Sequence, residues 1–372
     1  MEREQDFTRF LMESGPDPWT VINGRRCLYF GGTGYLGLQT HPEVVKAAQD
    51  ALALYGTCSA TSRSGFGTTP LYREVEQTAA RLFVAEDAVY LASGYLANVA
   101  GLDALAQLRR FDAIFLDDGA HWSLGDLAPA LRKPVYPFAH RDPEDLEVKL
   151  RANLGAGQRP VVASDGVFPT FGTIAPVAAY LEAVKLYDGC VWLDDCHGIG
   201  VLGPNGRGTS EHLGVTSDRL FFGGTTSKAI GAHGGIIPGT AELVRLIRDG
   251  HVVSGSNAPS SAAAAAAVTG MRLMMDHPEL RARLWDNARR LKSGLARLGF
   301  PQEDSPVPVA AWALPAAADM DRLHAELMRR DIAIQRTHYI GGGRHGLLRA
   351  VVFATHQPAD IDRLLAELKT VL

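Results

Sequence analysis

The chain of 372 residues is 46% hydrophobic and 21% charged, a globular balance with length enough for two domains around sizeable cores. Its formal net charge of −4 offers no basic surface to nucleic acid or to an anionic membrane. The opening "MEREQDFTRFLMESGPDPW" has no apolar core for a signal peptide, and no uninterrupted apolar run is long enough for a membrane span. Cys27, Cys58, Cys190 and Cys196 match no zinc or disulfide spacing, so a reduced cytoplasmic protein without a metal centre is expected.

The first motif is "RCLYFGGTGYLGL", in which Gly32, Gly34 and Gly37 spell G-x-G-x-x-G. In a dinucleotide-binding turn the helix begins inside the motif, so that its amides face the pyrophosphate. Here Thr40 and Glu43 make a T-x-x-E capping pair with Pro42 in the first turn, which starts the helix some residues too late. A second match, "GIGVLG", runs into "PNGRG", which starts no helix. An NAD-dependent oxidoreductase is therefore a distant alternative.

From residue 40 to about 240, strand-like runs alternate with helical patterns. "DAVYLA", "DAIFLD", "RPVVASD", "CVWLDD" and "RLFFGG" read as strands. "YREVEQTAARLF", "HWSLGDLAPALR", "DPEDLEVKLRANL" and "VAAYLEAVKLYDG" carry apolar residues at helical spacing. Such alternation predicts an α/β fold with a doubly wound, mostly parallel sheet. Beyond 240, "SSAAAAAAVTGMRLMMDHPELRARLWDNARRLKSGLARLGF" reads as long helices. "VPVAAWAL", a helix at 319–329, "IAIQR", "LLRAVVF" and a last helix then suggest a small α+β unit. The expected division is an N-terminal segment 1–39 joining the small domain, a large domain 40–245 and a small domain 246–372.

Two segments carry chemistry. In "GCVWLDDCHGIGVLG" an apolar strand ends in Asp194 and Asp195, with His197 close behind. Ligands in open α/β sheets bind beyond the carboxyl ends of strands, where a carboxylate and an imidazole could hold a cationic ring nitrogen and a neighbouring oxygen. A capped turn with one solvated aspartate would read the same way. In "FFGGTTSKAIGAHGG", Lys228 is the one lysine or arginine between Arg219 and Arg245. A lysine among apolar and small residues either snorkels to solvent or has its amine put to use, as Schiff-base chemistry requires.

A strand-end aspartate followed by Ser-Lys in a glycine-rich loop is the pattern of fold-type I pyridoxal-phosphate (PLP) enzymes. "DDCHGIGVLGPNGRG", "GTTSKAIGAHGG", "YLASGYLANVAGL", "YLGLQTHPEVVKAA" and "LLRAVVFATHQPADIDRLL" resemble the α-oxoamine synthase family in family order along nearly the whole chain. The resemblance implies an aspartate aminotransferase-like fold with PLP as cofactor. Lys228 would bind PLP as a Schiff base and move the Cα proton. Asp194 would pair with the pyridinium nitrogen, His197 with the ring hydroxyl oxygen, and His121 would stack on the ring. Ser93, Gly94, Tyr95 and Thr225 would receive the phosphate, with Ser256 reaching it from the other copy in a homodimer. Arg349 would bind the amino-acid carboxylate.

Three positions depart from the family pattern. Thr33 stands for a substrate-side asparagine, Tyr72 for a histidine, and Pro169 for a serine or threonine. The proline-rich loop usual before the arginine is replaced by "RTHYIGGGRHG". The reaction implied is acyl transfer: a small α-amino acid condensed with an acyl thioester through an external aldimine and a quinonoid. An aminotransferase, or another carbon–carbon bond-forming PLP enzyme, is the alternative.

Overall fold

A computed structural model of the chain describes residues 9–126 and 128–372. Residues 1–8 of the expected N-terminal segment, and Leu127 of the expected helix at 121–132, lie outside the described residues. In chain order the elements begin with the hairpin β1 (Trp19–Ile22) and β2 (Arg25–Tyr29), then α1 (Pro42–Tyr55), α2 (Pro70–Phe83), β3 (Asp87–Leu91) and α3 (Gly94–Gln107). Next come β4 (Ala113–Asp117), α4 (Trp122–Gly125), β5 (Val135–Phe138), α5 (Pro143–Asn153), β6 (Pro160–Asp165), β7 (Val167–Phe168), β8 (Thr173–Ile174) and α6 (Val177–Lys185). After β9 (Cys190–Asp194) follow α7 (Thr209–Leu213), β10 (Leu220–Thr225), β11 (Gly235–Gly239), α8 (Ala241–Asp249), α9 (His251–Ser254), α10 (Ser261–Asp276) and α11 (Pro278–Arg297). The chain closes with β12 (Val309–Trp312), α12 (Ala317–Arg329), β13 (Ile332–Ala333), β14 (Gln335–Thr337), β15 (Leu347–Val351) and α13 (Pro358–Val371).

The central sheet has seven strands in the order β3-β11-β10-β9-β6-β4-β5. β5, β4, β6, β9 and β10 pair in parallel, while β11 runs antiparallel to both β3 and β10. Every residue of β6 and of β9 is buried, which is why these strands read as apolar runs rather than as alternation: helices cover both faces. Asp117, Asp165, Asp194 and Thr225 all end strands, and so all stand at one edge of the sheet. Carboxylates at the end of an apolar strand cost least where a turn supplies backbone amides, and Asp194 Oδ1 accepts from Cys196 N at 3.0 Å.

Three smaller sheets lie elsewhere, one of them the two-stranded β7-β8. β12-β15-β14 is antiparallel, and β1-β2-β13 joins the N-terminal hairpin to a strand near the C-terminus. The alanine run of α10 is close packing, not low complexity: Ala264, Ala266 and Ala267 are buried in one core cluster with residues of α1 and α2. Small side chains let three helices approach, and Gly270 abuts the carbonyl of Ile230.

Three local expectations are corrected. Thr40 does not cap α1: its hydroxyl donates to Asp17 Oδ1 at 2.5 Å, residues 38–40 form a 3-10 turn, and His41 caps instead. The helix expected at 121–132 is only the single turn α4 followed by a 3-10 turn at Ala128–Leu131. "IAIQR" is two short strands, β13 and β14, in different sheets. β5, β11 and the β1–β2 hairpin had no counterpart among the strands expected from sequence.

Candidate active site

At the carboxyl edge of the central sheet lies a cavity of about 160 Å³. It is lined by Ser93, Gly94 and Tyr95 from the start of α3, and by His121 and Ser123 from the α4 turn. Asp165, Asp194, Cys196 and His197 come from the ends of β6 and β9, and Thr225, Ser227 and Lys228 from the end of β10. Eight candidate site residues singled out from sequence thus meet at one place.

α3 starts with Ser93 as N-cap, its hydroxyl accepting from Leu96 N at 3.3 Å. A Cβ on Gly94 would lie 2.8 Å from Thr225 Cβ and 2.9 Å from Cys196 Sγ. Glycine here lets the amide-bearing first turn of α3 come down onto the strand ends. A helix N-terminus with exposed amides receives anions, so this cradle fits a phosphate. Thr225 Oγ1 adds a hydroxyl, itself donating to Gly234 O at 2.7 Å and accepting from Ser227 N. Lys228 follows β10, is half-buried and lines the cavity.

The carboxylate of Asp194 accepts from Asn98 Nδ2 at 2.7 Å as well as from Cys196 N. Asp195 faces away, its oxygens accepting from Thr209 N at 2.7 Å and Thr209 Oγ1 at 2.6 Å; burial pushes its carboxyl up to about 6. Asp165 stands beside Asp194 in the parallel register and accepts from His121 N at 3.0 Å. Burial, then the charge of Asp194, raise Asp165 well above the ordinary carboxyl value. His197 is buried with Nδ1 2.6 Å from Tyr35 Oη. Burial first, then the charges of Lys228 and Arg349, hold His197 well below its ordinary value, so its ring is neutral. His121 is lowered as well, by burial, with Asp194 pulling the other way.

Arg349 is buried on β15. Its Nε donates to Pro169 O at 2.9 Å and its Nη1 to Gln335 Oε1 at 2.5 Å. Burial lowers the guanidinium, which Tyr35, Tyr339 and Tyr29 offset. Pro169, with no hydroxyl of its own, still holds the arginine through its carbonyl. The neighbouring Thr170 hydroxyl is committed to Ile340 O at 2.5 Å and does not replace it. The replaced loop carries Tyr339, whose ring packs edge-on against Trp122 at 4.8 Å and lies 6.4 Å from His121.

The candidate site residues Arg349, Thr33 and Ser256, and the departures at Tyr72 and Pro169, do not line this cavity. Thr33 is half-buried in the turn before Tyr35 and does not line it. Ser256 is exposed after α9, its hydroxyl donating to Val252 O at 2.9 Å. Tyr72 is buried under Arg63, its hydroxyl donating to the carbonyl of Pro259. Sequence reasoning missed Asp165, Ser123, Asn98 and Tyr35. All four sit inside quoted segments, "RPVVASD", "HWSLGDLAPALR", "YLASGYLANVAGL" and "RCLYFGGTGYLGL", but nothing in one sequence tells a buried polar side chain from a solvated one.

The donor set is that of a PLP site: an amine, a carboxylate for a ring nitrogen, a neutral imidazole and an anion cradle within one cavity. A family model for aminotransferase class I and II matches residues 27–368. The chain is 32% identical over 376 residues to 8-amino-7-oxononanoate synthase of Lysinibacillus sphaericus, covering 99% of this chain and 95% of that protein. It is 31% identical over 290 residues to serine palmitoyltransferase of Sphingobacterium spiritivorum, covering 78% of this chain and 72% of that one. Among solved structures, serine palmitoyltransferase of Sphingomonas wittichii superimposes with a TM-score of 0.92 at 27% identity, covering 99% and 92% of the two chains. A serine palmitoyltransferase solved with PLP as its internal aldimine gives 0.90 at 27% identity, covering 97% and 92%. The chain belongs to the aminotransferase class I and II family and, within it, to the α-oxoamine synthases, PLP-dependent acyltransferases that join an amino acid to an acyl thioester.

Proposed function

We propose that the cavity at the ends of β6, β9 and β10 is the active site, where a small α-amino acid is condensed with an acyl thioester and the thiol leaves. The observation carrying this reading is the convergence of Lys228, Asp194, His197 and His121 with the N-terminus of α3 on one cavity. When bound, PLP supplies an electron sink that makes the Cα proton of an amino acid removable.

The residues divide the work as follows. Lys228 would hold the cofactor through Nζ, and the same amine, when free, would move the Cα proton of a bound amino acid. Asp194 keeps a proton on the ring nitrogen, because a carboxylate fixed by Asn98 and Cys196 N prefers a cation as its third partner. His197, neutral and bonded through Nδ1 to Tyr35, has Nε2 for the ring oxygen. His121, which lines the same cavity, would cover the ring face. The α3 amides at Ser93, Gly94 and Tyr95, with Thr225, take the phosphate. Arg349 has two donors committed to Pro169 and Gln335 and keeps others for the substrate carboxylate, with Thr33 nearby in the chain to Tyr35.

The protein is read as a cytoplasmic homodimer with a large unit 40–245 and a smaller unit of 1–39 and 246–372. Among the described residues, no helix is long and apolar enough to cross a membrane. The exposed Ser256, outside the cavity of its own chain, is the residue offered to the phosphate site of a second copy. The site is tested by borohydride reduction of the PLP-loaded protein followed by peptide mapping. The expected result is one modified lysine, Lys228, with no covalent label in Lys228→Ala. A label on any other lysine overturns the assignment.

A further inference from the structure

One wall of the cavity carries a hydrogen-bond chain whose direction is fixed at both ends. Trp192 is fully buried on β9, and its indole N–H, which can only donate, meets Asn98 Oδ1 at 2.9 Å. The amide nitrogen of Asn98 therefore points the other way. It gives one hydrogen to Asp194 Oδ2 at 2.7 Å and the other to Ser123 Oγ at 2.8 Å. A carboxylate only accepts, so the Asp194 contact demands the same amide orientation. Ser123 Oγ, already an acceptor, gives its own hydrogen to His121 Nδ1 at 2.7 Å, where Ser123 N also donates at 3.2 Å. With donors on Nδ1, that nitrogen carries no hydrogen, and the proton of the neutral ring sits on Nε2.

The chain depends on a close approach of helix to sheet. Asn98 and Gly101 lie one turn apart on α3, and a Cβ at Gly101 would fall within the indole of Trp192. Glycine there lets the indole reach under α3 to the amide. Asn98 and Ser123 are both fully buried, so water does not substitute for either.

We propose that Asn98 is a positioning residue that couples two cofactor-facing side chains, setting the rotation of the Asp194 carboxylate and, through Ser123, the proton position of His121. This rests on the reading of the cavity as the PLP site. A residue that merely filled a buried polar gap would leave the histidine proton unaffected.

The test uses protein with 15N-labelled histidine, prepared without and with PLP, with ring-nitrogen protonation read from proton–nitrogen correlation spectra. His121→Gln identifies the signal. Wild type is expected to show a single Nε2–H form of His121, and both Ser123→Ala and Asn98→Ala to lose that single form. Asn98→Ala should also weaken PLP binding about tenfold, the scale of a hydrogen bond to a charged group, while Ser123→Ala changes it less than about twofold. An Nδ1–H form in wild type, an unchanged form in Ser123→Ala, or wild-type PLP affinity in Asn98→Ala overturns the proposal. If Asn98→Ala does not fold, the spectra of Ser123→Ala decide. Wild type that binds no PLP would sink the site reading, while the apoprotein spectra still judge the coupling.

Discussion

At the scale of single residues, the two adjacent aspartates separate by direction. Asp194 opens onto the cavity, whereas Asp195 is turned to Thr209 and holds the loop behind the site. Asp194→Asn is expected to cut turnover by about a hundredfold or more, since a neutral amide does not keep the ring nitrogen protonated. Asp195→Asn should leave turnover per folded molecule near wild type and lower stability by about 1–3 kcal/mol, the cost of a mispaired buried group. Steady-state rates and urea midpoints of both variants check this, and the reverse ranking would mean the strand register is off by one. Arg349→Lys should weaken the amino-acid substrate by about 1–3 kcal/mol, because lysine keeps the charge but not the planar fork. Its thioester dependence should stay unchanged. Titrating the amino acid against wild type and variant measures it, and identical curves would remove Arg349 from the site.

At the scale of elements, the sheet strands were legible because parallel strands covered on both faces must be apolar throughout, as "PVVASD" and "CVWLD" are. The short pieces were not. β11 is "GIIPG", two glycines and a proline around two isoleucines, and only its partners β3 and β10 make it a strand. α4 breaks after one turn although its pattern is helical. Its His121 amide is taken by Asp165, a contact forty-four residues away that no local pattern encodes. The cavity-lining residues were legible as motifs for a related reason: strand ends at one sheet edge must converge. The buried network behind them was not, because Asn98 looks like any helical asparagine until Trp192 lies against Gly101. Lys292 on α11 is another such buried polar group. Its ammonium donates to Ser305 O at 2.8 Å, Ser305 Oγ at 2.9 Å and Glu303 O at 3.2 Å, and Ser305 Oγ reaches Gly172 O just beyond the Pro169 turn. Burial lowers Lys292 to about 8, with Glu303 and Asp304 pulling the other way. The unfolded chain keeps that proton up to the ordinary lysine value of 10.5, so it binds more protons than the folded chain between the two. Wild type should therefore gain on the order of 2 kcal/mol over Lys292→Gln as pH rises from 7.5 to 10. Urea midpoints of both proteins at the two pH values check it, and a constant difference would mean the ammonium is solvated in the folded chain.

At the scale of the whole molecule, the glycine motif that first suggests a dinucleotide turn has another task. Gly37 takes a left-handed conformation and turns the chain into a 3-10 segment, and Tyr35 between the glycines is buried against His197. The segment after β2 meets the end of β15: Val351 N donates to Phe30 O, and Ala354 N to Tyr35 O. The residues proposed for the substrate, Arg349 and Thr33, thus come from the two ends of the chain, and those lining the cavity from its middle. That division puts two of the departures, Thr33 and the 336–346 loop, at the ends of the chain, while Pro169 falls between Asp165 and Asp194 and touches Arg349 through its carbonyl. It also makes the reaction, rather than the cofactor, the point to test. The PLP-loaded protein is offered a panel of small α-amino acids, each with and without acyl-CoA, while free thiol and 2-oxo acid are measured together. The account predicts thiol release that requires an amino acid and matches its consumption one for one, with no 2-oxo acid formed. Conversion of the amino acid to its 2-oxo acid without thiol release would contradict it and make the protein an aminotransferase.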